Sequence, residues 1–180
     1  MVGVGLFFVG NEELAEQWLN QYGLLALFFI MILEGAMLLY FAPSEAVVPV
    51  AVTALADSPT DYDTIVAIVS VSVIAATIGQ YALFLLAKRG GREYLLEKRW
   101  FRVDGDQLDR FDGWFDRWGP VVVPVSNALL FTRGMLTVPA GFAEMDGRKF
   151  VVLSALGTLV FETVLALLGP RIFRAMLGFL

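Results

Sequence analysis

Thr64 to Ala87 runs for 24 residues without a charge, and that stretch constrains the chain more than any other. A hydrocarbon core about 30 Å thick is crossed by roughly 20 apolar residues of helix, so the run predicts a transmembrane helix. The rest of the fold must then be built in and around a bilayer. Composition agrees, with 58% of residues hydrophobic and a mean hydropathy of +0.71. At 180 residues the length suits one membrane domain, 1–180, with no separate soluble domain of ordinary size.

The chain has no cysteine and no histidine. Disulfides, thiolate catalysis and zinc–cysteine sites are excluded, and so are the commonest general base and the commonest metal ligand. No cofactor and no metal is expected. Carboxylates, Arg, Lys, Tyr, Ser and Thr are left for any chemistry. The 18 acidic residues outnumber the 13 basic ones, and the basic stretch at 88–118 is nearly matched by acids, which argues against nucleic-acid binding. Met1 to Gly10 lacks the positive start and small-residue cleavage site of a secretory leader.

Around the charge-free run the pattern is uneven. Near the start, Leu14, Trp18 and Leu19 stand at helical spacing among glutamates, predicting an interfacial lead-in helix. From 22 to 56 the only charges are Glu34 and Glu45, yet Pro43, Ser44 and Glu45 interrupt the apolar run. The arm after them, Ala46 to Ala56, reaches only about 16 Å as helix, roughly half a bilayer. Residues 119–143 repeat the design: Pro124, the Thr132-Arg133-Gly134 triplet and Pro139 break an otherwise apolar stretch whose one charge is Arg133. Phe150 to Leu168 is a further spanning helix with Glu162 inside it.

Between them, 88–118 carries eight Lys or Arg, whereas 1–87 carries none. The positive-inside rule makes 88–118 cytoplasmic and the acidic 57–63 loop external. A single pass from a cytoplasmic 144–149 turn would place Arg171 and Arg174 outside, against the same rule. Leu108, Phe111, Trp114, Phe115 and Trp118 share one helical face; that helix lies in the interface or packs on the protein's own cytoplasmic end. Ala75 and Gly79 form a small-residue face suited to close helix packing.

Non-helical backbone at membrane depth is tolerated where protein or a water-filled cavity supplies hydrogen bonds. Two such breaks in corresponding halves suggest a repeat whose half-helix ends meet near the midplane. One hairpin entering from each side brings Glu45 toward Arg133. An uncompensated charge at the bilayer centre costs roughly 2.5 to 3.5 kcal/mol on insertion scales, which favours partners for each. A carboxylate out of water can take up a proton, making Glu34 and Glu45 candidate carriers. The plainer alternatives are a capping turn, with Ser44 as N-cap and Glu45 in the first turn, a structural ion pair for Arg133, and buried or interfacial hydrogen bonds for Glu34 and Glu162. Gln80 reads as a packing hydrogen bond.

At these residues the chain resembles the DedA family, also called the VTT or SNARE-associated Golgi family. The resemblance covers about 28–168: Glu34 ahead of Pro43-Ser44-Glu45 with Pro49 beyond, Gly79-Gln80-Tyr81 leading to Gly90-Gly91-Arg92, and the run TRGMLTVPAGFAEMDGRKF from Thr132 to Phe150. It implies an all-α integral membrane protein with two oppositely inserted re-entrant helical hairpins (22–56 and 119–143), transmembrane helices (64–87 and 150–168) and the amphipathic segment at 88–118. It also implies a multi-pass protein of the cell membrane that moves a polyprenyl phosphate or phospholipid between leaflets, coupled to a proton or sodium gradient. Glu34 and Glu45 match the family's membrane acids, and Arg133 the second arginine of its re-entrant motif. The first arginine falls at Asn127 and the usual proline at Leu130, so the arginine pair is incomplete. Substrate contacts are accordingly expected from Arg133, Glu45, Ser44, Asn127 and Thr132, with membrane lipids as partners and a homo-oligomer compatible with the pattern. The rival readings are a small ion transporter or scaffold gated by Glu45 and Arg133, and a lipid phosphatase using paired carboxylates; no enzyme is the reading preferred.

Overall fold

The structure is a computed structural model that describes residues 22–38, 44–96, 105–129 and 133–177. The lead-in helix expected around Trp18 lies outside these residues, as do Leu130 and Thr132 and the side chains of Ser44, Leu108 and Phe111. The described residues are all-helical. In order they form α1 (Leu24–Gly35), α2 (Ser44–Leu55), α3 (Tyr62–Leu96), α4 (Gly105–Trp118), a 3₁₀ turn (Gly119–Val121), α5 (Val122–Ala128), α6 (Thr137–Phe142) and α7 (Gly147–Leu177). Two of them contain stretches long and apolar enough to cross a membrane, Tyr62–Gly90 and Gly147–Pro170.

α3 is the spine. Asp61 caps its start, its Oδ1 accepting the Thr64 N–H at 3.3 Å, which satisfies a donor that the first turn leaves free. The helix then runs past the expected end at Ala87 to Leu96. α1 packs parallel to it: Gly35 lies against Ala76, Gly79 against Ile32 and Ala36, and Met37 against Leu83 and Ala87. A Cβ at Gly35 would fall onto the Ala76 carbonyl, and one at Gly79 onto the Ile32 carbonyl, so backbone meets backbone here. Gly79 and Ala76, rather than Gly79 and Ala75 alone, make the close face, a one-residue rotation of the expected contact.

α1 stops at Gly35 for a local reason that the sequence hid. Met37 N–H reaches Glu34 O at 2.8 Å and Leu38 N–H reaches Leu33 O at 2.9 Å, the Schellman pattern, with Met37 in the left-handed region at φ 57 where glycine is usual. The chain turns here, ahead of Pro43. α2 then runs to Leu55, its Pro49 ring seated on Gly169 of α7. Thr53 Oγ1 donates to the Pro49 and Val50 carbonyls at 2.9 Å, tying up its hydroxyl within the helix.

The second half approaches α3 from the opposite end. Gly141 of α6 rests on Phe84 and Ala87, and Lys88 Nζ donates to the carbonyls of Glu144 (3.1 Å) and Met145 (2.9 Å). Phe84, Phe150, Val123, Ala140 and Met145 form a buried cluster at this end, with the Phe84 and Phe150 rings stacked at 4.4 Å. α5 and α7 meet where Gly157 lies against Pro124 and Asn127. α7 starts beside Lys88 and ends beside the 57–63 loop, since Leu168 and Pro170 share a cavity with Asp57 and Ser58. It is therefore antiparallel to α3, and Arg171 leaves at the acidic-loop end. α4 attaches through Phe115, which packs on the Phe84 and Val122 clusters, while Trp114 and Trp118 are exposed.

The distribution of polarity is inverted relative to a water-soluble bundle. Ser72, Thr77, Gln80, Asn127, Ser154, Thr158 and Glu162 are buried, whereas Leu25, Phe29, Leu33, Ile74, Val152, Leu156, Val160 and Val164 face outward. An apolar surface of this extent suits lipid and not water.

Candidate functional site

The two broken segments meet at Arg133. It stands in the turn between α5 and α6, and its Nη2 donates to Glu34 Oε2 at the end of α1, 3.3 Å away, and to Glu162 Oε1 of α7. The guanidinium lies over the Phe161 ring, 4.4 Å from its centroid, a cation–π contact strengthened by burial. The three charged side chains are almost inaccessible, at 6% for Arg133, 9% for Glu34 and 0% for Glu162. Charges so desolvated persist only when paired. The pairing is incomplete: Arg133 Nε and Nη1 and Glu162 Oε2 have no partner among the described residues, and two carboxylates face one guanidinium.

Asn127 locks the turn that carries Arg133. Its Oδ1 accepts the Gly134 N–H at 3.0 Å; its Nδ2 donates to Gln80 Oε1 at 3.1 Å and to Ser154 Oγ at 3.0 Å. Ser154 Oγ in turn donates to Gln80 Oε1. Gly134, at φ 72, takes the left-handed conformation that lets the chain fold back onto the Asn127 amide. One neutral side chain thereby ties α3, α7 and both arms of the 119–143 segment together.

The site residues expected from sequence are thus distributed unevenly. Glu34 and Arg133 are joined directly. Asn127 is next to them, but as the fastening of the turn, its amide already occupied by protein partners. Glu45 lies in the first turn of α2, half-buried, and is close enough to act on the Glu34 carboxylate as a like charge. Its expected place opposite Arg133 is taken by Glu34 and Glu162, because α1 reaches the α5–α6 turn with its last residues. Ser44 begins α2, and Thr132 lies outside the described residues. Glu162 was not assigned a site role from the sequence. The signal for it was present in α7, where Ser154, Thr158 and Glu162 recur every four residues and so share one face of a helix that is otherwise apolar. Among the described residues no group of three His, Cys, Asp or Glu could hold a metal ion.

A second feature lies at the acidic-loop end. A cavity of about 580 Å³ is lined by Val52, Thr53, Asp57, Tyr62, Ile65 and Ala166, among others.

Comparison with known proteins gives this arrangement a family. The chain is 26% identical over 163 residues to undecaprenyl phosphate transporter A of Staphylococcus aureus, covering 88% of this chain and 78% of that protein. To the protein of the same name in Bacillus subtilis it is 29% identical over 101 residues, 56% of this chain and 51% of the relative. An alkaline phosphatase-like protein of Lactococcus lactis is 26% identical over 171 residues, 89% of this chain and 76% of the relative. No solved structure matches. The VTT domain matches residues 42–171, which takes in α2, both arms around Arg133 and the spanning part of α7, and the chain belongs to this membrane-protein family, the VTT-domain or DedA family.

Proposed function

We propose that the protein moves an anionic lipid, a polyprenyl phosphate or a phospholipid, from one leaflet to the other. The observation that carries the reading is Arg133: a buried guanidinium at the meeting point of two interrupted helical pairs, with two of its three nitrogens unpaired among the described residues. A guanidinium presents its donors as a planar fork suited to phosphate oxygens. The names of the relatives from Staphylococcus aureus and Bacillus subtilis support a phosphate-bearing carrier lipid as the cargo.

In this reading α1–α2 and α5–α6 are re-entrant hairpins, inserted from the acidic-loop side and the basic side respectively, and the basic side is cytoplasmic. Their tips provide a polar point at mid-depth, where a headgroup would otherwise meet only hydrocarbon. Glu34 and Glu162 compete with the phosphate for Arg133. When one of them takes a proton its hold on the guanidinium weakens and the fork can turn to the headgroup; deprotonation restores the ion pairs and expels it. Proton uptake and headgroup binding are coupled through one cation. Asn127 keeps Arg133 at the tip through Gly134, and Glu45 biases which carboxylate carries the proton by repelling Glu34. The protein acts as a transporter and makes or breaks no covalent bond in the lipid.

The test is transfer of a labelled polyprenyl phosphate between leaflets of liposomes holding the purified protein. Transfer by the wild type, lost in Arg133→Ala, is expected. No transfer of either a polyprenyl phosphate or a phospholipid would remove the reading, and release of inorganic phosphate would replace it with a hydrolase.

A further inference from the structure

Several buried polar atoms have no partner among the described residues: Ser72 Oγ, Thr77 Oγ1, Thr158 Oγ1 and Glu162 Oε2, beside the two Arg133 nitrogens. Ser154, Thr158, Glu162, Ala166 and Pro170 follow one another at four-residue spacing as a buried line that winds gradually around α7. Ser154 touches Gln80 of the antiparallel α3, so Ser72, eight residues earlier on α3, comes level with Glu162, eight residues later on α7, about 12 Å further along. Ser72 Oγ, Thr158 Oγ1 and Glu162 Oε2 are all fully buried and without a partner among the described residues. Helical Ser and Thr hydroxyls commonly satisfy themselves on the carbonyl a turn earlier, as Thr53 does; these do not. Leaving such a group unsatisfied costs about 1–3 kcal/mol, and buried water is the usual remedy where several polar atoms converge.

The line leads out at one end only a short way. Ala166 lines the 580 Å³ cavity beside the 57–63 loop, one helical turn, about 6 Å, from Glu162. The polar residues in the same lining are Thr53, Asp57, Ser58 and Tyr62. The charged groups around Glu162 among the described residues are Arg133 from the α5–α6 turn and Glu34 from α1, on which Glu45 of α2 acts in turn; the buried polar residues of α3, Ser72, Thr77 and Gln80, carry no charge.

We propose that the cavity beside the 57–63 loop is a hydrated vestibule through which water delivers a proton to Glu162 Oε2. The proton moves from water onto the carboxylate oxygen not bonded to Arg133, and the Glu34–Arg133–Glu162 group goes from one net negative charge to none. Glu162 is then the carboxylate loaded from the acidic-loop side. The inference rests on the transport reading for what the proton drives, but the access route is independent of any lipid.

The chain has no cysteine of its own, so single cysteines report without background. Asp57→Cys, Ala166→Cys, Thr158→Cys and the lipid-facing Val160→Cys are placed in vesicles and treated with a charged, membrane-impermeant methanethiosulfonate from each side. Because the reagent needs a thiolate in water, Ala166→Cys and Thr158→Cys should react about tenfold or more faster than Val160→Cys, and only from the side that labels Asp57→Cys. Ala166→Cys reacting no faster than Val160→Cys while Asp57→Cys reacts would overturn the vestibule. Infrared difference spectra after a pH drop on the Asp57 side should show a protonated-carboxyl band that Glu162→Gln lacks; a band unchanged in a folded Glu162→Gln would overturn the assignment to Glu162. None of these readouts requires lipid transfer, so an accessible vestibule in a protein that moves no lipid would remove the transport reading and leave this one standing.

Discussion

Arg133 and Glu34 lie 99 positions apart in the chain and meet at 3.3 Å in the interior, with Glu162 bonded to the same guanidinium nitrogen, Nη2. Each of the three comes from a different element, so the group fastens the α5–α6 turn to α1 and α7 together. Arg133→Ala leaves two buried carboxylates facing each other, and removing one partner of a buried pair costs about 3–5 kcal/mol. A large fall in thermal stability in detergent is expected, partly recovered in the double variant Arg133→Ala/Glu162→Gln. Arg133→Lys should retain more stability than Arg133→Ala but lose most lipid transfer, since a single ammonium cannot serve two carboxylates and a phosphate with the fork of a guanidinium.

Asn127 predicts an unusual intolerance. Asn127→Ala strands the Gly134 N–H and leaves the Gln80 carbonyl with Ser154 Oγ alone, and a loss of about 1–3 kcal/mol for the buried group left unsatisfied is expected. Asn127→Arg, which would restore the arginine implied by the family resemblance, should destabilise further, because the side chain is 2% exposed and Gly157 packs against its Cβ. Unfolding curves of both variants beside wild type check this; a stable Asn127→Arg with raised lipid transfer would contradict it.

The α1–α3 contact should be sensitive to single methyl groups. Gly35→Ala and Gly79→Ala each drive a Cβ into a backbone carbonyl of the neighbouring helix, and overpacking of this kind costs about 1–3 kcal/mol. Gly113→Ala in α4 meets nothing within 4 Å and removes a helical glycine, so it should be neutral or stabilising by up to about 1 kcal/mol. Thermal unfolding of the three variants should separate them clearly.

Asp61 gives a pH prediction outside the membrane. The Thr64 hydrogen bond, with a contribution from the Asp57 N–H at 3.3 Å, holds its carboxyl below the ordinary range. A group whose folded value is depressed contributes stability above its unfolded value, about 3.9, and loses it as pH falls through the folded value. The start of α3 should therefore loosen only under acid conditions. Amide exchange at Thr64 should rise there in the wild type, whereas Asp61→Asn should show a flatter dependence.

Much of this architecture was legible from composition and spacing. The charge-free run of α3, the half-length arm after 43–45 and the short arms around 133 follow from local hydropathy and helix breakers, as does the acid carried by α7, and the resemblance to a membrane family rested on motifs that hold at the level of single residues. Local rules also failed locally: α1 ends on a Schellman turn at Met37, where no glycine or proline announces it, and α3 outruns its apolar stretch to Leu96.

What the sequence alone determined was which residues must be inside a membrane and where the backbone must break, because hydropathy, proline geometry and the cost of a bare charge act within a few residues of one another. Which acid holds Arg133 was decided only by the tertiary structure. Glu34, Glu45 and Glu162 have equal chemical claims on it, and the choice depends on how far α1 slides along α3 before Gly35 and Ala76 touch, a distance set by backbone packing between residues more than forty positions apart. The same packing made Asn127 a fastening of the turn, since its amide reaches Gln80 and Ser154 only once α3, α5 and α7 have closed around it.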